Sequence, residues 1–300
     1  MSKDEWPTLG LLLLCYLAFA LITMFAEALT IPLAVLLLAP VIALHSSLQH
    51  EVVHGHPFAD ARANGALVFP ALGLFIPYIR FKDIHIAHHY DPNLTDPYED
   101  PETNFLDPVV WETLPGWRRR LLEFNNTLLG RMALGPMISL ITLYTDDFAA
   151  LRRGERRVIL AYTLHVLGLL PPVLWVLGWG ALPLLAYAIS AYLGFSLLKI
   201  RTFLEHQAHD RAAARSVIIE DRGPLALLFL NNNYHAVHHA HPGVAWHKLP
   251  GLFAARRELF LARNGGYAYR SYWQVMSLYF LVAKEPVAHP LWSSRPPAGG

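Results

Sequence analysis

Histidine is the residue that this sequence arranges in patterns suited to chemistry, and three short segments carry most of the pattern. They read HEVVH at 50–54, HIAHH at 85–89 and HAVHH at 235–239. Histidines three or four positions apart lie on one face of an α-helix, so the imidazoles of each segment can converge on one metal ion. Neutral imidazole binds iron, copper and zinc. We therefore expect eight metal ligands: His50, His54, His85, His88, His89, His235, His238 and His239.

A ninth candidate ligand comes from RTFLEHQAHD at 201–210, where we favour His206. Polar side chains beside these motifs are candidates to hydrogen-bond the ligand N–H groups and fix their tautomers. Histidines that precede proline or lie off the shared helix face belong with this supporting set. The candidates are Glu51, Asp83, Glu205, His209, Asn231 and His241.

The number of candidate ligands constrains the metal. A catalytic zinc needs three protein ligands and an open position, whereas eight or nine converging histidines suit two ions. Cys15 is the only cysteine, which excludes an internal disulfide, a four-cysteine iron–sulfur cluster and a cysteine-rich zinc site. A pair of iron ions is the usual reason to gather so many nitrogen ligands, and it serves oxygen chemistry.

The elements that position these histidines are strongly apolar. Of the 300 residues, 54% are hydrophobic and 16% are charged, whereas ordinary soluble domains are ~45–50% apolar. Two weaker runs, 64–79 and 130–144, are short and interrupted by proline or glycine, and we expect interfacial or re-entrant pieces there. Four stronger runs are close to the ~20 residues that span a bilayer as a helix. These predicted transmembrane segments are 9–25, 31–48, 158–178 and 181–200.

Basic residues predict the orientation. The two hairpin loops carry none, whereas clusters such as RRR at 118–120 and RRGERR at 152–157 lie elsewhere. By the positive-inside tendency, both termini and every histidine motif face the cytoplasm. The compact chain favours a bacterial inner membrane. Because the basic residues form no long stripe, we expect no nucleic-acid partner.

The predicted fold is a single all-α integral membrane domain over 1–300. It has four transmembrane helices in two hairpins and a cytoplasmic helical cap, about 49–157 and 201–285, that carries the histidine motifs. We expect residues 286–300 to form a poorly ordered tail.

Taken in order, these motifs resemble those of the membrane fatty acid desaturase superfamily, whose members carry three histidine boxes after paired membrane helices. The resemblance covers about residues 10–250. The boxes match as HEVVH, HIAHH and NNNYHAVHH, and TFLEH resembles the segment that supplies a further histidine, here His206.

The resemblance implies a non-haem di-iron centre that uses O₂ as co-substrate and removes two hydrogens from a lipid acyl chain. Two electrons would come from an external donor of the ferredoxin or cytochrome b5 type, since no cytochrome b5 domain is appended. HPGV at 241–244 is similar to a haem-binding HPGG but directly follows the third box.

Other functions stay open on the sequence alone. The same scaffold supports hydroxylase or ketolase chemistry, or desaturation of a small non-lipid metabolite. HEVVH is also the zinc-protease signature, in which Glu51 would act as general base, although that function leaves both HxxHH motifs unexplained. A metal-binding or transport protein without catalysis is the remaining alternative.

Overall fold

A computed structural model describes residues 5–292 of the chain; residues 293–300, the end of the predicted tail, lie outside the described residues. The helices, in chain order, are α1 (Trp6–Met24), α2 (Ala26–Leu29), α3 (Ile31–Val53), α4 (Ala61–Leu67), α5 (Tyr78–Tyr90), α6 (Pro108–Thr113), α7 (Gly116–Asn125), α8 (Leu128–Arg152), α9 (Arg156–Gly178), α10 (Leu184–Thr202), α11 (Pro224–Leu228), α12 (His235–Ala240), α13 (Leu249–Ala255), α14 (Arg257–Arg263) and α15 (Tyr272–Tyr279). Strands β1 (Ile218–Ile219) and β2 (Ala268–Tyr269) pair in parallel.

Five of the described helices are long and apolar enough to cross a membrane: α1, α3, α8, α9 and α10. Four of them, α1, α3, α9 and α10, overlap the four predicted runs, although α10 begins at Leu184 and not at residue 181. The fifth, α8, differs from the expectation of a short piece at 130–144, because it is one continuous helix of 25 residues. Thr127 caps its first turn by accepting a hydrogen bond from the Gly130 N–H, and Pro136 lies inside the helix without ending it.

The other weak run, 64–79, is not one element. Helix α4 ends at Leu67 and α5 begins at Tyr78, and the chain between them is mostly turns. This link is fixed against α9, because the Ala71 N–H donates to the Gly168 carbonyl oxygen at 2.8 Å. The link therefore carries the chain from α3 to α5 while packed against a long helix.

Close helix crossings set the distance between the long helices. A Cβ on Gly194 of α10 would lie 2.8 Å from the carbonyl oxygen of Ala39 in α3, so the two backbones approach as closely as only glycine allows. In the same way, a Cβ on Gly168 would lie 2.6 Å from the Phe69 carbonyl oxygen. Small residues at such crossings are typical of helices packed in a membrane.

The outer faces of the long helices are apolar. Leu13 of α1 and Leu185 of α10 are 70% and 74% exposed. Contiguous exposed apolar surface of this kind marks a lipid-facing region. On α8 the exposed side chains Met137, Ile141 and Phe148 follow helical spacing and form one stripe.

Residues 286–292, which we expected to belong to a poorly ordered tail, pack against the chain. The Leu106 N–H donates to the Val287 carbonyl oxygen at 2.9 Å, and the His289 N–H donates back to Leu106 at 2.8 Å. The Trp292 indole N–H donates to Asp107 at 3.1 Å. This part of the chain therefore covers the acidic loop 91–107.

Candidate metal centre

All nine histidines expected from the sequence lie together at one end of the long helices, in two groups. Within each group, one ring nitrogen per histidine lies within 4.8 Å of the others. The five-histidine group is His50, His54, His85, His89 and His238. The four-histidine group is His88, His206, His235 and His239. Their role as metal ligands stays a prediction, but the geometry gives each of two ions its own donor set.

Four elements bring these rings together. Helix α3 ends at Val53 and presents the first box, α5 carries the second box, and α12 carries the third. His206 follows α10 in a short extended segment whose bridge partner is Ser216. Helices α5 and α12 each contribute to both groups, because adjacent histidines in HH lie about 100° apart around a helix.

Three histidines donate their Nδ1–H to an acceptor outside the groups. His85 donates to Glu102 at 3.0 Å, and His88 donates to Asp100 at 2.7 Å. His235 Nδ1 faces the amide oxygen of Asn232 at 3.1 Å. In each case Nε2 points into a group and is the nitrogen left to bind a metal.

Some inward-facing ring nitrogens are so close together that they cannot all carry a lone pair. His206 Nε2 lies 2.9 Å from His88 Nε2 and 3.1 Å from His235 Nε2. One N–H on His206 could satisfy only one of these two acceptors. A cation between the rings, either a proton or a metal ion, removes the conflict.

Two further Nε2 atoms also indicate a cation between the rings. His50 Nε2 and His239 Nε2 are buried and have no hydrogen-bond partner among the described residues. A buried nitrogen without a partner costs about 1–3 kcal/mol, and ligation to a metal would recover it. One such orphan lies in each group, so the residues present fit two metal ions held by imidazole.

Burial keeps most of these rings neutral. The pKa of His89 is lowered to about 3, first by burial and then by the neighbouring histidines His85 and His88. Burial and adjacent rings also lower the pKa of His206, His235 and His239 well below its usual value. Neutral imidazoles can bind a metal at pH 7 without first losing a proton.

His88 is the exception. Burial alone would lower its pKa, but the carboxylates of Glu102 and Asp100 outweigh burial and raise the pKa to about 9. Burial raises the pKa of Glu102, but the neighbouring His85 and His88 rings outweigh burial and lower it. The metal-free site therefore holds a positive charge on His88, at the position where the crowded Nε2 atoms call for one.

The predicted supporting residues fall into two sets. Glu205 forms an ion pair with Arg201 at 2.9 Å and accepts a hydrogen bond from Asn232 at 3.2 Å, and through Asn232 it supports His235. Glu51 lies beside His50 but accepts the Trp246 backbone N–H at 2.9 Å. Its carboxylate thereby ties the first box to the chain after the third.

The remaining predicted supports make other contacts. Asp83 forms a two-pronged ion pair with Arg157 at 2.7 and 2.8 Å, which ties α5 to α9. His209 accepts the Arg211 backbone N–H. Asn231 donates to the Trp246 carbonyl oxygen, and His241 packs its ring against Phe260. These contacts hold the surrounding backbone rather than a histidine of either group.

Sequence reasoning missed the two carboxylates that contact ligand candidates directly. Asp100 and Glu102 lie in the acidic, proline-rich loop 91–107, a composition typical of a solvated loop. Asp100 is 4% exposed, and it also accepts the Thr95 N–H at 2.8 Å. The signal available in the sequence was that both carboxylates closely follow the second box. The chain that leaves α5 can therefore fold back and place them beside that box.

Segment 284–292 supports the site from outside. The buried Lys284 ammonium group donates to the His206 carbonyl oxygen and pairs with Glu285 at 2.6 Å. His289 Nε2 lies 3.2 Å from the Thr95 hydroxyl, next to the turn that holds Asp100. The segment therefore fixes both the backbone of one ligand candidate and the loop that orients two others.

Known proteins are similar to this chain over most of its length. The family model described as fatty acid desaturase matches residues 26–273. A beta-carotene ketolase from Paracoccus sp. (strain PC1) is 31% identical over 276 residues, which cover 83% of this chain and 93% of the ketolase. A second beta-carotene ketolase, from Paracoccus sp. (strain N81106 / MBIC 01143), is 30% identical over 221 residues, covering 70% of this chain and 71% of that protein. The chain belongs to the fatty acid desaturase family.

Proposed function

We propose that this protein is a membrane oxidoreductase that holds two iron ions among its nine clustered histidines. With O₂ as co-substrate, it introduces a double bond into an acyl chain of a fatty acid or lipid. The observation that carries this proposal is the division of the histidines into two adjacent groups with carboxylate-fixed tautomers. Family membership supports the oxidoreductase class.

An alkyl C–H bond resists acid–base chemistry, and a bound iron pair would supply the oxidising power that no side chain has. The chain's own residues perform the other tasks. Asp100, Glu102 and Asn232 hold the imidazole tautomers, so that each Nε2 faces inward. Burial of the rings excludes bulk water from the site.

The contacts of Glu51 disfavour a zinc protease. In that chemistry the glutamate of HExxH must face the metal-bound water as general base. Here Glu51 accepts the Trp246 N–H and lies 3.9 Å from the His56 ring. The second and third boxes also take part in both groups, which a single zinc would not require.

Ketone formation on an apolar lipid is the second candidate function. It is favoured by the two relatives, both named beta-carotene ketolase, that match most of this chain. Ketone formation would need two rounds at the same residues: one O₂ and two electrons would convert a CH₂ group to an alcohol and water, and a second O₂ and two electrons would convert that alcohol to the ketone and two waters. The outcome depends on how the substrate is placed over the site.

We further propose that four of the five long helices cross the membrane and that α8 lies along its surface. Three crossings between the second and third boxes would put those boxes on opposite sides, yet His89 and His238 Nε2 atoms lie 3.2 Å apart. An even number of crossings among α8, α9 and α10 is therefore required.

Contacts at both ends of α8 support this placement. Near its start, the Arg131 guanidinium lies over the Phe203 ring at the histidine end of α10. Near its finish, Asp147 pairs with Arg80 of α5, the helix of the second box, at 2.7 Å. Both ends thus lie on the histidine side, and the exposed apolar stripe of α8 would face lipid. The positive-inside tendency supports a cytoplasmic position for that side.

The test is product analysis with the purified, iron-loaded protein, a chemical reductant, O₂ and a panel of acyl lipids and carotenoids. Loss of two mass units with a new double bond would support desaturation, and a gain of oxygen with loss of two hydrogens would support the ketolase. No oxidised product from any substrate, with about two irons bound per chain, would count against both.

A further inference from the structure

The proposed reaction consumes two electrons that the described chain does not supply. Desaturation reads R–CH₂–CH₂–R + O₂ + 2 e⁻ + 2 H⁺ → R–CH=CH–R + 2 H₂O. O₂ accepts four electrons; two come from the C–H bonds of the substrate and two must be delivered from outside. The only cysteine, Cys15, is buried in α1 away from the histidines, so the chain has no cysteines for an iron–sulfur cluster of its own.

A cavity reaches one of the clustered histidines from the surface. It has a volume of about 170 Å³, and His239 forms part of its wall. Every lining residue lies outside the five long helices, so the cavity opens away from the proposed membrane region. Much of the lining consists of alanine side chains, which allow an approaching surface to come close to the imidazole. These are Ala212, Ala213, Ala236 and Ala240.

His239 is well placed to connect the surface with both groups. It belongs to the four-histidine group, and its ring stacks on that of His89 in the five-histidine group. The two ring centroids are 4.2 Å apart, with 14° between the planes. A carrier that reached the His239 edge would therefore be close to the ligand sets of both ions.

The surface around this cavity is basic. Arg263 lines it, and Arg211 adjoins it next to Ala212. Both arginines are exposed, and neither forms an ion pair with any carboxylate of residues 5–292. Residues 240–270, which include α13 and α14, contain five basic residues and one acidic residue, Glu258, although Arg257 pairs with Glu220. Exposed arginines such as Arg211 and Arg263 at an opening attract an acidic partner and accelerate its encounter.

We propose that this cavity and its arginine rim form the docking surface for an acidic one-electron carrier protein, which delivers electrons next to His239. The inference rests on the proposed function, because only the electron balance requires a carrier. An anionic lipid surface is the other partner that arginines would suit. The cavity favours a protein, because a membrane has no need of an opening that leads to a metal ligand.

Binding can be measured without iron and without turnover. The full chain in phosphatidylcholine nanodiscs would be titrated with a plant-type [2Fe–2S] ferredoxin, which is strongly acidic, at several salt concentrations. We expect saturable binding that weakens steeply as salt rises. The double variant Arg211→Glu and Arg263→Glu should weaken binding by about tenfold or more at low salt. Arg118→Glu, an exposed arginine on α7, is the matched control and should bind as the unmodified chain does.

A second variant tests the cavity without changing charge. Ala213→Trp would fill the opening with an indole and should also weaken ferredoxin binding, whereas Ala213→Ser should not. Equal binding by all variants would overturn the proposal, as would an equal loss in the Arg118 control or tighter binding of the basic protein cytochrome c. Binding of the arginine face to phosphatidylserine vesicles instead of ferredoxin would also overturn it. Failure of the proposed function would appear separately, as an iron-loaded protein that yields no product with a chemical reductant.

Discussion

The Nε2 atoms of His88 and His206 lie 2.9 Å apart, and each ring is also held by a contact at its Nδ1 atom. His88 Nδ1 donates to Asp100, and His206 Nδ1 lies 3.3 Å from the Ser216 hydroxyl. The two segments that supply these rings are separated by more than a hundred residues of sequence. Because His206 Nε2 also faces His235 Nε2 at 3.1 Å, one N–H can serve only one of the two neighbours, and a proton or a metal ion among the three rings would satisfy them all.

The two groups should respond differently to the loss of one ligand. His235→Ala leaves three histidines in the four-histidine group, whereas His54→Ala leaves four in the other. We expect about two metal ions per chain in the unmodified protein, about one in His235→Ala and more than one in His54→Ala. Elemental analysis of the purified proteins measures this, with His165→Ala, a histidine of α9, as the control.

Equal metal content in all four proteins would contradict ligation by these rings. A content of one zinc per chain that His235→Ala does not change would instead support a single zinc site at the first box.

The raised pKa of His88 predicts proton release on metal binding. Because this pKa is about 9, His88 is charged at pH 7 and must lose one proton to bind a metal, whereas His89, with a pKa of about 3, is already neutral. The affinity of the four-histidine group for Co²⁺ should rise about tenfold per pH unit between pH 6 and 8. Calorimetry in buffers of different ionisation enthalpy would count the proton.

The raised pKa of His88 also makes the stability of the metal-free chain depend on pH. A folded-state pKa above the unfolded value of ~6.5 means that the interaction of charged His88 with Glu102 and Asp100 stabilises the fold fully below that pH and is lost as pH rises through 9. Asp100→Asn keeps an acceptor but removes one of these charges, so it should lower the pKa of His88 and reduce the proton release. Asp146→Asn, at an exposed position of α8, should leave the release unchanged. Unaltered release in Asp100→Asn would contradict the assignment.

Trp292 should affect the metal site from a distance. Its indole holds Asp107, and segment 284–292 holds the loop that carries Asp100 and Glu102. We expect Trp292→Ala to weaken Co²⁺ binding severalfold, less than the about 10–100-fold that removing a direct partner of a metal ligand costs. Hydrogen exchange in loop 91–107 should increase at the same time.

The matched control is Trp273→Ala, because Trp273 is 77% exposed on α15. If both variants bind Co²⁺ equally, segment 284–292 does not position the site.

Cysteine labelling tests whether α8 lies along the membrane surface. The only native cysteine, Cys15, is 1% exposed, so background labelling should be low. Glu123→Cys, before α8, and Arg153→Cys, after it, should react with a membrane-impermeant maleimide from the same side of sealed vesicles. Labelling from opposite sides would show that α8 crosses and would contradict the four-crossing arrangement.

The crossing of α3 and α10 should not tolerate a methyl group. Gly194→Ala would place a Cβ 2.8 Å from the Ala39 carbonyl oxygen, so the helices must separate. We expect a loss of about 1–3 kcal/mol in the free energy of unfolding and a lower melting temperature in detergent. Gly10→Ala, where a Cβ meets nothing within 4 Å, should not destabilise the protein. A similar melting temperature for both variants would exclude a tight crossing.

The sequence was sufficient to predict the nine clustered histidines, because ligand spacing on a helix is a local property. His206 is predictable from its position just after the fourth apolar run and from the resemblance of TFLEH to a family segment, and the structure places it between His88 and His235. Family membership is likewise readable from the ordered boxes.

Contacts between distant segments could not be read in this way. Asp83 has the same residue type as Asp100 and lies closer to the second box, yet it pairs with Arg157 while Asp100 contacts His88. The direction in which the chain leaves α5 decides between them, and no local pattern encodes it. Likewise, the low polarity of 286–292 gave no sign of its hydrogen bonds to Leu106.

Segment 284–292 follows all nine histidines in the chain, so it leaves the ribosome after them. During synthesis, both hairpins can enter the membrane and all three boxes can emerge while the His206 carbonyl and the Asp100 loop still lack their outer contacts. Docking of this segment therefore comes last in synthesis, and it completes the contacts of the His206 backbone and of the loop that carries Asp100.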